Sequence, residues 1–139
     1  MIYSFDLLNE IFEWCLNDDE MCNLLGIDKE ADNLLDVANN KLRREYQTDV
    51  NVVPEDVPFI SFYFMHSEKL KKNWMLNVGD LYIDIYTHTM YEAGLIAKRF
   101  RQLYSQNREV LLNYEGQHFS GVNGIYKYRL IYNPLVDGR

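Results

Sequence analysis

Hydrophobic and polar positions change period several times along the chain. Leu7, Leu8, Ile11, Phe12 and Cys15 recur at helical spacing. Ser4 stands where an N-cap belongs, and Asp6 in the first turn faces the positive end of the helix dipole. Asn17, Asp18 and Asp19 interrupt the stripe. Glu20 to Leu25 resumes it until Gly26, a natural left-handed stop. The region reads as one amphipathic helix bent near Asp18. Asp28 is placed to cap a further helical stretch, in which Leu35, Ala38, Leu42 and Tyr46 follow a four-residue spacing and Lys41 and Glu45 pair across one turn. From Gln47 to Pro58 the chain reads as an extended connector, because Val53 and Val57 both precede proline.

Beyond the connector the period falls to two. In Phe59 to Met65, the residues Ile60, Phe62 and Phe64 share a wholly apolar face that belongs to the core, with Phe59, Ser61, Tyr63 and Met65 opposite. Leu81, Ile83 and Ile85 alternate with Asp80, Tyr82, Asp84 and Tyr86, which predicts a strand with one buried and one half-polar face. Ser67 to Asn77 lies between, polar and lysine-rich, and reads as a long hairpin loop. Thr89 and Glu92 have capping-box spacing at the start of a helix running to about Ser105, with Leu95, Ile96, Phe100 and Leu103 as its stripe. His118 to Val122 and Ile125 to Tyr132 form a last strand pair around Asn123-Gly124, closed by Asn133-Pro134. The order predicts a single α+β domain over 1–139, with an antiparallel or mixed sheet of about four strands and two or three helices on one face. Its parts are a helical region 4–46, the connector 47–58 and a strand–strand–helix–strand–strand region 59–134.

Composition narrows the function classes. A chain of 139 residues, 47% hydrophobic, builds a core without a metal or disulfide staple. A net charge of −7 argues against a dedicated nucleic-acid binder. Met1–Glu10 lacks the basic start of a signal peptide, and no run reaches membrane-span length, so the chain is expected to act in the cytoplasm or in an assembly built there. Cys15 and Cys22 would lie about two turns apart, ~10 Å, on one face of a straight helix, too far for a disulfide. They read as buried free thiols.

Candidate chemistry is sparse. His66, His88 and His118 fit no metal-ligand spacing, and no phosphate loop or nucleophile motif occurs. Cys15 sits on an apolar stripe among acids, which disfavours its thiolate. Asp80 and Asp84 share a strand face and Glu92 opens the following helix, so a metal-dependent nuclease site can be drawn from them. The competing reading places Asp80 at a hairpin end and Asp84 on the polar sheet face, with Glu92 capping a helix. Neither a catalytic centre nor a cofactor is therefore expected. Lys69, Lys71, Lys72 and Trp74 combine charge and an aromatic ring in the predicted loop, which fits a nucleic-acid contact, an assembly contact or a solvated hairpin. Tyrosine is abundant, with eleven copies. Tyr82, Tyr86, Tyr126 and Tyr128 lie on predicted strands, where each ring can complete the core or anchor a partner.

Three segments carry a resemblance. Leu16 to Ile27 (LNDDEMCNLLGI), Val57 to Phe62 (VPFISF) and Leu81 to Ala97 (LYIDIYTHTMYEAGLIA), where a strand feeds directly into a helix, resemble the tail-completion and tail-terminator proteins of long-tailed bacteriophages. The likeness covers about 5–27 and 57–132 as an arrangement; the stretch Ala31–Asp56 departs from it. The resemblance implies a non-catalytic virion protein, assembled in the bacterial cytoplasm. It would form a ring, commonly hexameric, at the head-proximal end of the tail, end tail-tube growth and join tail to head. The implied partners are its own copies, the tail-tube protein and a head-completion protein, with no membrane and no specific nucleic acid. Lys69, Lys71, Lys72, Trp74, Tyr82, Tyr86, Tyr126 and Tyr128 are the candidate contacts. A head–tail connector or neck protein is the nearest alternative, and a cytoplasmic protein-binding module or the nuclease are alternatives of other classes.

Overall fold

The most regular alternation in the sequence becomes the middle of the sheet. The computed structural model describes residues 2–70 and 73–137, with the backbone alone for 66–70 and 73–77. In it β3 (Asn73–Thr87) is flanked by β2 (Phe59–Leu70) on one side and by β5 (Tyr126–Tyr132) on the other. The strand order is β1 (Leu42–Arg43), β2, β3, β5 and β4 (Leu112–Phe119), and β6 (Leu135–Asp137) pairs with the first part of β3. Among the described residues only the β1–β2 pairing is parallel. The described residues thus form an α+β fold, four helices against a six-strand mixed sheet. The two strands beyond the expected four, β1 and β6, are two and three residues long. Strands so short carry no periodicity of their own and exist through their neighbours.

The helices α1 (Ser4–Leu16), α2 (Asp19–Leu25), α3 (Leu34–Lys41) and α4 (Met90–Asn107) pack on the face that presents Ile60, Phe62, Leu81, Ile83, Ile85, Leu130 and Tyr132. α4 lies on β3 and β5, and α1 contacts β2 and α4. Thr89 caps α4 as expected, its hydroxyl accepting from the Glu92 N–H at 3.2 Å. The bend near Asp18 is a break between two helices. Asp18 Oδ2 accepts from the Met21 N–H at 2.9 Å, and Arg99 of α4 donates to both carboxylate oxygens, at 2.8 and 2.5 Å. One carboxylate therefore starts α2 and ties it to α4. Cys15 and Cys22 are buried and free. Burial pushes both thiols up from their ordinary pKa.

Several expectations need correction. Tyr3 precedes α1 as its cap residue, and no side chain, Ser4 included, satisfies that cap. Asp28 closes a turn onto the Glu30 N–H, while the helix begins later, after Asn33. Of the four-residue series, Ala38 and Leu42 are buried, whereas Leu35 and Tyr46 are exposed and Leu42 already belongs to β1. Lys41 turns away from Glu45 and donates to the carbonyls of Asp56 and Pro58. The connector contains two 3-10 turns, Asp49–Asn51 and Pro54–Asp56. The long loop 67–77 is in fact the continuation of the β2–β3 hairpin, paired as far as Leu70 and Asn73. Polar residues persist there because pairing satisfies the backbone, whatever the side chains. β4 begins at Leu112, earlier than the expected His118.

The connector also changes the second sheet face. Val52, Val57, Phe59, Tyr86 and Ile125 form a small core of their own beneath it. Phe59, Ser61 and Tyr63, expected on the outer face, are consequently buried.

Two outcomes are expected of stability measurements. Tyr104 stacks on Tyr132 with ring centroids 3.8 Å apart, yet its buried hydroxyl has no hydrogen-bond partner among the described residues. Removing an unsatisfied polar atom recovers its desolvation cost, so Tyr104→Phe should leave stability unchanged or raise it by about 1–2 kcal/mol in urea denaturation. The Arg99 guanidinium, helped by the Met21 N–H and opposed by burial, holds the Asp18 carboxyl below the usual carboxylate range. A depressed folded-state pKa stabilises above the unfolded value, about 3.9, and is lost as pH falls through the folded value. Thermal melts of wild type and Asp18→Asn should therefore differ by a constant margin from neutrality to about pH 5, and converge in stronger acid.

Candidate functional site

The covered second face holds the one dense cluster of charge inside the described residues. Asp84 is 1% exposed, at the centre of β3. Strand alternation puts it on the face opposite Ile83 and Ile85, and the sheet register sets it beside Ser61 of β2 and Arg129 of β5. Arg129 Nε donates to Asp84 Oδ1 at 2.7 Å and Nη2 to Oδ2 at 3.2 Å. The Tyr63 hydroxyl donates to Oδ2 at 2.6 Å, and Lys127 Nζ lies 3.6 Å from the same oxygen. The aromatic rings serve as walls. The Arg129 guanidinium lies over Tyr82 at 4.7 Å, and Lys127 Nζ lies 5.7 Å from the Tyr86 centroid. Tyr86 in turn stacks on Phe59 at 4.7 Å.

The electrostatics follow from this packing. Burial, then the hydrogen bond to Asp84, pushes the Tyr63 phenol well above its ordinary pKa, so it stays a donor. Burial lowers the Lys127 ammonium, and the Asp84 charge opposes that. The guanidinium of Arg129 is held charged by the hydrogen bond and charge of Asp84 against burial. Two cations share one carboxylate, and Arg129 Nη2 also reaches the Tyr63 hydroxyl oxygen at 3.4 Å. Such a cluster orients strands. Asp84 is thereby closed off from solvent.

The three carboxylates considered for metal do not meet. Asp80 accepts from Asn133 Nδ2 at 2.6 Å, at the hairpin side of the sheet. The Glu92 backbone N–H is used by the Thr89 cap. Asp84, expected on a polar sheet face, is enclosed instead, because the connector roofs that face. Among the described residues no group of three or more His, Cys, Asp or Glu is placed to hold a metal ion. His88 is exposed, and His118 lies beside Tyr114, with 3.1 Å between Nε2 and the phenol oxygen. The side chain of His66 lies outside the described residues, and so do Lys71 and Lys72 altogether. The backbones of Lys69 and Trp74 belong to β2 and β3, and their side chains lie outside the description.

The tyrosine candidates divide between interior and surface. Tyr86 is buried and Tyr82 lies under Arg129, so both rings pack their own chain. Tyr126 is exposed at the start of β5, and Tyr128 lines a surface groove of about 490 Å³ between α4 and β4. Val110, Leu111 and Leu112 line the same groove, with Lys98 and Arg101 of α4. Sequence reading missed this groove because its two sides come from elements whose exposure depends on how far α4 reaches across the sheet. β4 is an edge strand with no buried residue. Phe119 at its end is fully exposed and Leu111 before it is 86% exposed. Comparison of the chain with protein-family models and with curated proteins returns no match.

The buried cluster makes a sharp prediction. Asp84→Asn leaves Arg129 and Lys127 without their counter-charge and should lower unfolding free energy by about 3–5 kcal/mol in chemical denaturation. A loss below about 1 kcal/mol would show that the cations escape to water.

Proposed function

We propose that the chain is a non-catalytic assembly protein, and specifically a ring-forming tail terminator of a long-tailed bacteriophage. The observation that carries the assembly reading is the open end of the sheet. β4 is eight residues long, lacks proline and lysine, buries none of its side chains, and is flanked by the exposed apolar residues Leu111 and Phe119. Monomeric proteins blunt such edges with charge, proline or a covering element. β4 does carry one acid, Glu115, and a register irregularity between Leu112 and Tyr114, yet its exposed apolar residues are accounted for by a partner that pairs with the strand or covers it.

The tail-terminator reading adds the sequence resemblance of segments 16–27, 57–62 and 81–97. A ring needs a contact between two different surfaces whose rotation closes on itself. The proposed partners are further copies of the chain, the tail-tube protein and a head-completion protein, and the proposed location is the tail or neck of a virion assembled in the bacterial cytoplasm. The net charge of −7 suits a ring traversed by DNA, since an acidic protein does not retain a polyanion.

The experiment is electron microscopy of the purified chain, alone and mixed with tail tubes encoded beside it. Rings in either sample, with tubes capped at one end, are the expected result. Association with capsids in place of tubes would assign the chain to the neck. A chain that binds neither would remove the tail reading.

A further inference from the structure

We infer that copies of this chain contact one another head to tail, the acidic segment Asp28–Asp36 of one copy seating on the groove between α4 and β4 of the next. The inference deepens the assembly reading above and rests on it. It begins from where the two surfaces lie. α3 packs on β1 and β2, at one end of the strand order. The groove lies at the other end, where α4 covers β3 and β5 and leaves β4 bare. Leu35 and Asp36, on α3, thus lie toward the β1 end of the strand order and the groove lies toward the β4 end, while residues 28–30 sit beside α2. A contact between segment and groove repeats from copy to copy.

Charge complementarity selects the occupant. Segment 28–36 holds Asp28, Glu30, Asp32 and Asp36 against one cation, Lys29, whose ammonium is taken by Asp19 at 2.7 Å. Glu30, Asp32 and Asp36 are without an ion pair among the described residues. The groove is lined by Lys98, Arg101 and Glu115, a net charge of +1. Lys98 is exposed and likewise has no ion pair among the described residues, while Arg101 reaches Glu115 at 3.3 Å. With a net charge of −7, two copies repel at long range. Association therefore requires a place where acid meets base, and this pairing supplies one.

Apolar surface completes the fit. Leu35 on α3 is 66% exposed, and Ala38 is the buried residue of that helix. Leu35, beside Asp36, thus leaves most of its side chain in solvent. The groove offers Val110, Leu112 and Tyr128 within a volume of about 490 Å³, which accommodates a leucine side chain and its neighbours. An apolar anchor inside a ring of charge is the usual anatomy of a specific contact, with the charges setting register and encounter rate.

The test uses Lys98→Glu and Asp36→Lys, two exposed positions whose exchange leaves the core untouched, with circular dichroism to confirm folding. Association is followed by sedimentation velocity over concentration and salt. Wild-type oligomers should weaken as salt rises. Each single variant should associate about tenfold more weakly. An equimolar mixture of the two variants should recover wild-type association, because each reversed charge then faces its opposite. Leu35→Asp should abolish association without this rescue. The contact is overturned by a wild-type chain that stays monomeric at every concentration, by single variants that assemble as wild type does, by a mixture no stronger than its parts, or by a product that stops at two copies. Tube capping is scored separately. Charge rescue without capping would keep the contact and remove the tail reading, and capping undiminished in both single variants would do the reverse.

Discussion

A carboxylate enclosed at the centre of the sheet sets the terms for the strands around it. Asp84 is out of water on β3, and an isolated charge there would cost several kcal/mol. Arg129 therefore has to stand directly across on β5, with Lys127 and Tyr63 beside it. This fixes register more tightly than hydrophobic alternation does. A slip of one residue between β3 and β5 would send Arg129 to the helix face and Leu130 to the charged one. A slip of two residues would keep the apolar face intact but bring Lys127 opposite Asp84. A lysine ammonium cannot reproduce the forked pair of bonds that the Arg129 guanidinium makes. The cluster discriminates between registers that the core alone would accept.

That enclosure needs a roof, and segment 43–58 supplies it. Arg43 lies over Phe59 at 3.8 Å and bonds Asp56, and the Ser61 hydroxyl donates to the Glu45 carbonyl. Val52 and Val57 close the small second core. The sheet is thus covered on both faces around β2 and β3, by helices on one side and by the connector on the other. The covering stops short of β4. The same fold that seals the centre of the sheet leaves one end of it open.

The helical layer is tied together by long-range charge. Arg99 reaches back to Asp18, and Arg108 pairs with Glu10 at 2.5 Å. These links hold α1, α2 and α4 as one slab. α3 packs on β1 and β2 and carries its one acid, Asp36, outward. A slab with unlike ends is the shape that heterologous contacts require.

What the sequence by itself determined is whatever local period and capping encode. The Thr89 cap of α4 and its stripe positions Ile96, Phe100 and Leu103, the buried positions of α1, the turn at Gly26 and the alternation of Leu81, Ile83 and Ile85 are all legible, because each is written within a few residues of itself; Leu95, expected in the same stripe, is exposed. Tertiary structure alone decided the rest. Asp84 looks like a half-exposed polar residue until Tyr63, Arg129, Lys127 and the connector enclose it, and Arg129 and Lys127 lie more than forty positions away. Tyr86 and Tyr126 share a residue type, yet Tyr86 is buried under the connector on one sheet face, while Tyr126, on the helix face at the start of β5, is exposed. β1, β6 and most of β4 lack a period and become strands by pairing with neighbours that the chain reaches from a distance. Burial on a sheet's second face and openness at its edge are properties of what covers them, and coverage is settled only when distant segments meet.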